Sequence, residues 1–483
     1  MNIVEPIFIH CKNKPAEVAL AAPGTEFNVV SYGRLARSIN NVCQRVISAG
    51  LGPRSRVAVF IDDPIFHAIM LIALTRLGIV TISGKEKDSL WRFQVNAVIA
   101  DKPLPSRVAR IILADTSWTS GNDRPIALEY IYQGLPDEVC RIMLTSGTTG
   151  EDKAIAVTNR IMAARIDRQN MFFGSRAAFC GRTYVDLSLA TSLGFQLLIA
   201  TLCRGGALFL AGDPQQTVSA FPVYGVQNMI GSPGGLLGLF EAMERRPEYQ
   251  CGFEAVFSVG SILTHSLSER VRARICSNLT KGYGSTEATM VASMPANFAP
   301  DLSGAVGFVL PGVNVQIVDE GGARLPPGKD GIIRINSEYG AREYLDDPEE
   351  SARVFRDGWF YPGDLGYLTE QNMLVISGRT KTVINIGGEK VTPERVEEVL
   401  SSHPSVQQVA VLAVHNESGV DDVCALVVPR SALVVEALKA FCSERLPPKF
   451  VPTRFIAVSD LPRNEMGKIE RLKLADLVKS KLN

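Results

Sequence analysis

The sequence has no cysteine pair at CxxC spacing and only five histidines in 483 residues. Its nine cysteines are odd in number and scattered, which argues against a disulfide framework and against a zinc-binding cysteine cluster. The histidines form no HExxH pattern, so a transition-metal site is not expected either. The cysteines are therefore predicted to be reduced thiols, most of them buried in the core.

Long apolar runs and an excess of one charge are also missing. The longest apolar stretches, such as residues 68–75, end well short of the roughly 20 residues that a membrane-spanning helix needs. The 50 basic and 50 acidic residues balance, which gives no net field to attract nucleic acid or an anionic membrane. Residues 1–15 do not resemble a signal peptide. These features predict a cytoplasmic protein with no membrane span and no nucleic-acid partner.

Segments of strand-like and helix-like periodicity alternate over roughly the first four-fifths of the chain. Such alternation buries strands between helices and favours largely parallel sheets. The strands are expected at 57–61, 141–145, 207–212, 226–231, 255–260 and 279–284. The helices are expected at 34–50, 65–77, 159–173, 193–204, 234–246 and 266–277.

The composition changes twice toward the C-terminus. After about Gly312, short strands separated by glycine and proline turns indicate a β-rich subdomain at about 305–380. From about 380 a hairpin, a helix, two strands and a second helix follow. The predicted fold class is therefore α/β, with a large N-terminal domain over 1–380, built of parallel-rich sheets flanked by helices plus that subdomain. A small mobile α+β domain is predicted over 381–483.

The stretch LTSGTTGEDKAIAVTN, residues 144–159, combines glycines, hydroxyl side chains and a lysine after a predicted strand. Unpaired backbone N–H groups and hydroxyls suit an anion, and Lys153 would add a charge-assisted hydrogen bond to phosphate. The same composition also makes ordinary surface turns. The stretch is not a P-loop, because no GxxxxGK[ST] pattern passes through it.

This stretch resembles the signature TSGTTGxPKG of the adenylate-forming enzymes, a superfamily of acyl-CoA synthetases, luciferases and peptide-synthetase adenylation domains. The resemblance implies that the matching residues bind the outer phosphates of ATP. The matching residues are Thr145, Ser146, Gly147, Thr148, Thr149, Gly150 and Lys153. Asp152 replaces the family's proline and Ala154 its following glycine, and Glu151 places a further negative charge beside the loop.

Two further stretches match the family in the expected order. KGYGSTE, residues 281–287, is similar to the family's YGxTE, and WFYPGDLGYL, residues 359–368, to its GWFxTGDxG. By that resemblance Tyr283 stacks on adenine, Thr286 contacts the α-phosphate and Glu287 holds Mg²⁺. Asp364 would accept hydrogen bonds from the ribose hydroxyls. Taken alone, either stretch would be an ordinary turn or helix cap.

The C-terminal part resembles the family in two more places, ISGRTKTVINIGGEKVTPERVE at 376–397 and LPRNEMGKIER at 461–471. The resemblance implies that Arg379 binds near the ribose and phosphate and that Lys381 is a hinge. Gly387 and Gly388 would form the hairpin beside a tunnel for the thiol substrate. Lys468 would contact the α-phosphate and the substrate carboxylate.

The acyl pocket is the region that departs most from relatives. The resemblance implies that it is formed by Thr191, Gly260, Ser261, Gly284 and Ser285, and SLATSLG at 188–194 lacks the histidine common in the family. VDLS at 185–188 is similar to the FDxS of amino-acid-activating domains, whose aspartate pairs with an α-amino group. The spacing to the glycine pair 205–206 favours the acyl-CoA synthetase register instead, and the amino-acid alternative stays open.

The resemblance implies a ligase that uses ATP and Mg²⁺ to activate a carboxylic acid and then transfers the acyl group to coenzyme A. An alternative acceptor is the phosphopantetheine of an acyl carrier protein, because the thiol-tunnel hairpin serves either. A second alternative, from another class, is a binding protein that has kept the fold without catalysis. The presence of Glu287, Asp364, Arg379 and Lys468 argues against the last.

Overall fold

The structure is a computed structural model. It describes residues 2–83, 93–104, 110–121, 124–146, 152–174, 181–245, 251–299, 302–386, 389–415, 421–430, 432–463 and 469–482. The helices among them are α1 (Glu5–Asn13), α2 (Tyr32–Ser48), α3 (Pro64–Arg76), α4 (Asn159–Gly174), α5 (Ser192–Cys203), α6 (Pro214–Tyr224), α7 (Pro233–Glu244), α8 (His265–Arg274), α9 (Pro348–Val354), α10 (Pro393–Ser401), α11 (Val435–Ser443) and α12 (Arg471–Leu482).

The strands fall into two groups along the chain. Before residue 300 they are β1 (Val18–Ala22), β2 (Asn28–Ser31), β3 (Arg56–Phe60), β4 (Val80–Ser83), β5 (Ala97–Ala100), β6 (Ile111–Leu113), β7 (Val139–Ser146), β8 (Asp152–Thr158), β9 (Arg182–Val185), β10 (Ala207–Leu210), β11 (Asn228–Gly231), β12 (Ala255–Ser258), β13 (Leu279–Ser285) and β14 (Thr289–Pro295). After it they are β15 (Ala305–Val309), β16 (Val313–Val318), β17 (Gly331–Ser337), β18 (Phe355–Arg356), β19 (Trp359–Phe360), β20 (Asp364–Leu368), β21 (Met373–Arg379), β22 (Ile384–Ile386), β23 (Glu389–Val391), β24 (Val406–His415), β25 (Asp421–Pro429) and β26 (Arg454–Ala457).

Two sheets organise the first 380 residues. A sheet of six strands has the order β6-β5-β3-β4-β7-β8, with only the β7–β8 pair antiparallel. A larger sheet of fifteen strands contains the parallel run β1-β10-β9-β11-β12-β13. This sheet continues through β14, β15 and β21, so the strands of 305–380 extend it. The predicted α/β fold class is confirmed.

Helices α3 and α5 lie in the core shared by the two sheets. Every residue from Ile65 to Arg76 is buried, as is every residue from Gly194 to Leu202. Leu20 and Leu208 of the large sheet belong to the same apolar cluster as Val57 of the six-stranded sheet. A helix that is apolar on all sides is stable only when it is covered on all sides, which explains why these two segments lack a polar face.

The described residues of 381–482 build two small apolar clusters of their own around the three-stranded sheet β24-β25-β26 and the hairpin β22-β23. The predicted hairpin, strands and helices of this region are confirmed, and the earlier helices and strands lie within a few residues of their predicted bounds. The elements that the sequence analysis did not predict include α1, the β1–β2 hairpin, β4, β5, β6, β8, α6, β26 and α12. Eight cysteines are described, all are free thiols and six of them are buried, while Cys180 lies outside the described residues.

Candidate active site

The carboxyl ends of β9, β11, β12 and β13 meet at one edge of the large sheet, because these strands are parallel neighbours. Ligands of open α/β sheets bind at this edge, where the loops that follow the strands converge. The loops carry Asp186 and Thr191 after β9, Ser232 after β11 and Gly260 and Ser261 after β12. The end of β13 carries Tyr283, Gly284 and Ser285. The topology thus places the acyl-pocket candidates beside the adenine candidate.

Tyr283, Asp364 and Arg379 form one connected polar group. The phenol of Tyr283 donates a hydrogen bond to Oδ2 of Asp364 at 2.5 Å, and Nε of Arg379 lies 3.0 Å from Oδ1 of the same carboxylate. Asp364 and Arg379 face each other across the β20–β21 ladder. Burial, together with the Asp364 charge, raises the pKa of Tyr283 well above its usual value, so the phenol stays neutral and acts as a donor.

Thr286 and Glu287 lie in the turn between β13 and β14. The carboxylate of Glu287 is buried, and its Oε1 accepts a hydrogen bond from the phenol of Tyr344 at 3.0 Å. Gly284 precedes the turn, and a Cβ there would lie 2.2 Å from the carbonyl oxygen of Thr289. Thr289 itself has a φ of 63°. The hairpin is therefore closed so tightly that only glycine fits at position 284.

Arg165 of α4 forms a hydrogen bond with the backbone of this turn. It is 1% exposed, and its guanidinium donates to the carbonyl of Thr286 at 3.4 Å and to that of Tyr339 at 2.9 Å. Burial lowers the pKa of Arg165 to about 10, and the Glu287 charge opposes that shift. The side chain is still charged at neutral pH, so it places a fixed positive charge close to Glu287.

The stretch at 144–159, proposed to bind phosphate, includes the end of β7 and the whole of β8, which pair antiparallel. Thr145 and Lys153 are opposite each other in this ladder, one residue in from the opposed pair of Ser146 and Asp152. Ala154, at the family's glycine position, is buried in the core of the six-stranded sheet. The alanine methyl therefore packs among apolar side chains. Gly147, Thr148, Thr149, Gly150 and Glu151 lie outside the described residues.

Lys153 is engaged by acidic and aromatic neighbours. Its ammonium pairs with Oε1 of Glu350 in α9 and lies 5.1 Å from the ring centre of Tyr344. Arg353, one turn further along α9, donates to both carboxylate oxygens of Glu350 at 2.5 Å. The hydrogen bonds from Arg353 and Lys153 together lower the pKa of Glu350 to about 2, against the opposing effect of burial.

Several acyl-pocket candidates form local hydrogen bonds or adopt special backbone conformations. Thr191 caps α5, since its Oγ1 accepts a hydrogen bond from the N–H of Gly194 at 3.1 Å. Gly260 has a φ of 94°, a conformation that favours glycine, and Ser261 follows it in the loop before α8. The hydroxyl of Ser285 accepts from the N–H of Ala288 at 3.1 Å. Thr191 and Ser285 therefore shape the backbone of this edge through local hydrogen bonds.

Asp186 is held against the start of α7. Its Oδ2 accepts a hydrogen bond from the hydroxyl of Ser232 at 3.3 Å, and a Cβ at Gly235 would lie only 1.5 Å from the same oxygen. Burial raises the pKa of Asp186 to about 6, although the hydrogen bonds from Ser232 act against the shift. The approach of the helix to this carboxylate depends on glycine at position 235.

We expect Asp186→Asn to stabilise the protein at pH 7.5. Because the pKa of Asp186 is raised to about 6 in the folded state, the folded state carries a costly buried charge above that pH, which asparagine lacks. A rise in pKa of this size corresponds to at most about 3 kcal/mol. Urea unfolding at pH 7.5, 5.5 and 4 should show an advantage that shrinks as the pH falls. A variant that is less stable at pH 7.5 would contradict this prediction.

Of the candidates after residue 380, the structure describes only Lys381. It is exposed and lies two residues after Arg379, between β21 and β22. Gly387, Gly388 and Lys468 lie outside the described residues. Just beyond Lys468, Arg471 pairs with Glu394 and Glu397 of α10, each at 3.1 Å. These pairs attach the start of α12 to α10.

Sequence reasoning missed three residues that contact the candidates: Arg165, Tyr344 and Glu350. Tyr344 and Glu350 lie in AREYLDDPEESARVF, directly before the stretch that contains Asp364. An aromatic residue and several acids between two matching stretches were the available signal. Arg165 is a charged residue on a face of α4 that turns out to be buried.

Glu287 is the described residue that could bind a divalent cation at this site. Oε1 of this buried carboxylate accepts a hydrogen bond from Tyr344, and its Oε2 could bind a metal that also binds phosphate oxygens. Carboxylate and phosphate oxygens are the ligands that Mg²⁺ prefers. No group of three or more His, Cys, Asp or Glu side chains in the described part of the chain is arranged to hold a metal by itself.

The described helices include none whose length and apolar character would let it cross a bilayer. Comparison with known proteins finds many similar chains, among them two ligases and one solved structure of similar length. A 4-chlorobenzoate–CoA ligase of an Arthrobacter species is 25% identical over 493 residues, covering 96% of this chain and 92% of that protein. A fatty acid–[acyl-carrier-protein] ligase of Streptomyces coeruleorubidus is 26% identical over 525 residues, covering 98% and 96%. The crystal structure of an anthranilate CoA ligase with anthranoyl-AMP is 20% identical, covers 99% of this chain and 97% of that one, and shows the same fold with a TM-score of 0.86.

Two family models match the chain. The model described as AMP-binding enzyme matches residues 89–345, which is more than half of the chain. The model described as AMP-binding enzyme C-terminal domain matches residues 395–468. The first match contains Tyr283, Thr286 and Glu287, and the second ends at Lys468. The chain belongs to the AMP-binding enzyme family.

Proposed function

We propose that the protein activates a carboxylic acid with ATP, releasing pyrophosphate, and then transfers the acyl group to the thiol of coenzyme A. The observation that carries the proposal is the connected group of Tyr283, Asp364 and Arg379 next to the Glu287 turn. It combines an aromatic face for adenine with a buried carboxylate for ribose hydroxyls and a cation for phosphate. Relatives named as CoA ligases support the same reaction.

In the first half-reaction, an oxygen of the carboxylate attacks the α-phosphorus, and pyrophosphate leaves. The carboxylate is already ionised at neutral pH, so catalysis depends on positioning and on stabilising charge. We assign the outer phosphates to Thr145, Ser146, Gly147, Thr148, Thr149 and Lys153. Thr286 would contact the α-phosphate and Lys468 the reacting oxygens. Mg²⁺ at Glu287, when bound, would offset the phosphate charge that repels the nucleophile.

In the second half-reaction, the thiol attacks the carbonyl of the acyl-adenylate, and AMP leaves. We propose that residues 381–483 form a lid that rotates about Lys381, withdrawing Lys468 and presenting the hairpin of Gly387 and Gly388. Glycine has no Cβ, so a pantetheine arm can pass close to the backbone there. The acid would lie at the sheet edge near Thr191, Gly260, Ser261, Gly284 and Ser285.

Lys381→Pro should separate the two half-reactions. Proline fixes φ near −65°, which removes torsional freedom at the proposed hinge but leaves the nucleotide contacts in place. We expect ATP–pyrophosphate exchange within about twofold of wild type and thioester formation slowed about tenfold or more. Single-turnover measurement of each step checks this. Lys381→Ala, which keeps the backbone free, is the matched control, and equal loss of both steps in the proline variant would contradict the hinge.

The acceptor thiol has a second candidate, the phosphopantetheine of an acyl carrier protein. A relative named as a fatty acid–[acyl-carrier-protein] ligase supports this alternative. Supplying coenzyme A and a holo carrier protein separately, with the same acid, would distinguish them. We place the reaction in the cytoplasm, the location expected from the sequence.

ATP–pyrophosphate exchange over a panel of aliphatic, aromatic and amino acids tests the function as a whole. Exchange with aliphatic or aromatic acids alone would support acyl activation. Exchange restricted to amino acids would instead assign an α-amino partner to Asp186. A chain that binds ATP but exchanges with no acid would favour a binding protein over an enzyme.

A further inference from the structure

The ammonium of Lys153 is already occupied by a carboxylate of the same chain. Lys153 and Glu350 form an ion pair whose side chains are only 11% and 16% exposed. The ring of Tyr344 lies beside the same ammonium. Because the pair is shielded from water, its attraction is stronger than that of a surface salt bridge.

Glu350 is fixed by contacts that do not involve Lys153. Arg353 donates to both of its carboxylate oxygens, and the backbone N–H of Glu350 donates to the helix cap Asp347 at 3.1 Å. The pKa of Glu350 is lowered to about 2, mainly by the hydrogen bond from Arg353, so the carboxylate is ionised throughout the pH range of an enzyme assay. Glu350 therefore stays charged and in place whether or not Lys153 is bound to it.

The backbone segments on either side of the pair are also tied together. The N–H of Leu345, just before α9, donates to the carbonyl of Ala154 at 2.7 Å, one residue beyond Lys153. Since Ala154 is anchored in the core, β8 and the segment that leads into α9 cannot easily separate. Lys153 can leave Glu350 only by rotating its own side chain.

We propose that Glu350 is a positioning residue that competes with the outer phosphates of ATP for the ammonium of Lys153. This inference rests on the proposed function, in which Lys153 contacts those phosphates. Binding of the β- and γ-phosphates must either break the Lys153–Glu350 pair or bring a fixed carboxylate next to a polyanion. Loss of the ion pair and repulsion by the carboxylate each weaken the binding of ATP. AMP has no outer phosphates, so neither effect acts on it.

Glu350→Gln tests the competition. Glutamine keeps the shape and one of the two accepting oxygens but removes the negative charge. We expect the variant to bind ATP about three- to tenfold more tightly than wild type and AMP equally well. Calorimetric titration with each nucleotide, in MgCl₂ and without a carboxylic acid, measures both constants. Glu349→Gln is the matched control, since Glu349 is an exposed neighbour in the same helix and its loss changes the net charge equally.

The double variant Lys153→Ala, Glu350→Gln shows whether the effect passes through Lys153. If it does, Glu350→Gln should change ATP affinity much less when Lys153 is absent. An undiminished effect, weaker ATP binding, or an equal change for ATP and AMP would overturn the inference. An unchanged dissociation constant for ATP in Glu350→Gln would also overturn the inference. The proposed function would remain intact in that case, provided that the wild-type chain binds ATP. A wild-type chain that binds no ATP would overturn the proposed function and this inference with it.

Discussion

Replacing Lys468 by alanine is expected to lower the rate of acyl-adenylate formation by about 10²- to 10³-fold, the cost of losing one preorganised donor at a reacting oxygen. The reason is electrostatic, since negative charge accumulates between the attacking carboxylate and the α-phosphate and Lys468 is the cation assigned to that position. The effect should fall on the rate of the step, with a smaller change in the affinity for ATP.

ATP–pyrophosphate exchange with the best acid of the panel measures this step directly. Lys473→Ala is a suitable control, because Lys473 is an exposed lysine of α12, five residues further along, that pairs only with Glu470 among the described residues. Thermal unfolding should show both variants folded. Exchange at the wild-type rate in the Lys468 variant would refute its assignment.

Replacing Asp364 by alanine should raise the KM for ATP by about 10- to 100-fold. Hydrogen bonds from ribose hydroxyls to a buried carboxylate are each worth about 1.5 to 3 kcal/mol, and alanine removes them. The substitution also leaves the buried phenol of Tyr283 without its acceptor, whereas the partly exposed Arg379 can be solvated by water. Some loss of stability is therefore expected together with the loss of affinity.

Tyr283→Phe separates the two contributions. Phenylalanine keeps the aromatic face for adenine and loses only the hydrogen bond to Asp364, so its KM for ATP should rise less than that of the Asp364 variant. Steady-state kinetics with ATP as the varied substrate, at a saturating concentration of the acid, gives both values. An unchanged KM in the Asp364 variant would remove this carboxylate from the nucleotide site.

Sequence patterns predicted the architecture well where burial is strong. The segments that became α3 and β12 are apolar runs, and every residue of β12 and every residue from Ile65 to Arg76 is buried. β8 was missed because its residues directly follow the glycine-rich stretch and read as part of a loop. Its pairing with β7 depends on how the chain turns between them, which periodicity does not record.

At the candidate site, the sequence predicted individual residues but not the contacts between them. Tyr283, Asp364 and Arg379 were each predicted from a matching stretch, but the direct contacts among them are a product of the tertiary fold. The partnership of Lys153 with Glu350 could not be predicted, since 197 residues separate them and Glu350 is one of two adjacent glutamates. Only the packing of α9 beside β8 distinguishes it from its neighbour.

The end of β21 lies directly before the proposed hinge at Lys381 and is held by hydrogen bonds. Arg379 forms the last ladder pair of the strand with Asp364, and both the N–H and the hydroxyl of Thr380 donate to the carbonyl of Gly363. The backbone is thus held by hydrogen bonds up to the residue before Lys381. The proposed rotation of the C-terminal unit would therefore have to change the backbone torsions of a few residues near Lys381. Asp364, the carboxylate proposed to bind the ribose, belongs to the same ladder pair. A nucleotide bound to Asp364 would therefore make the backbone next to the proposed hinge more rigid.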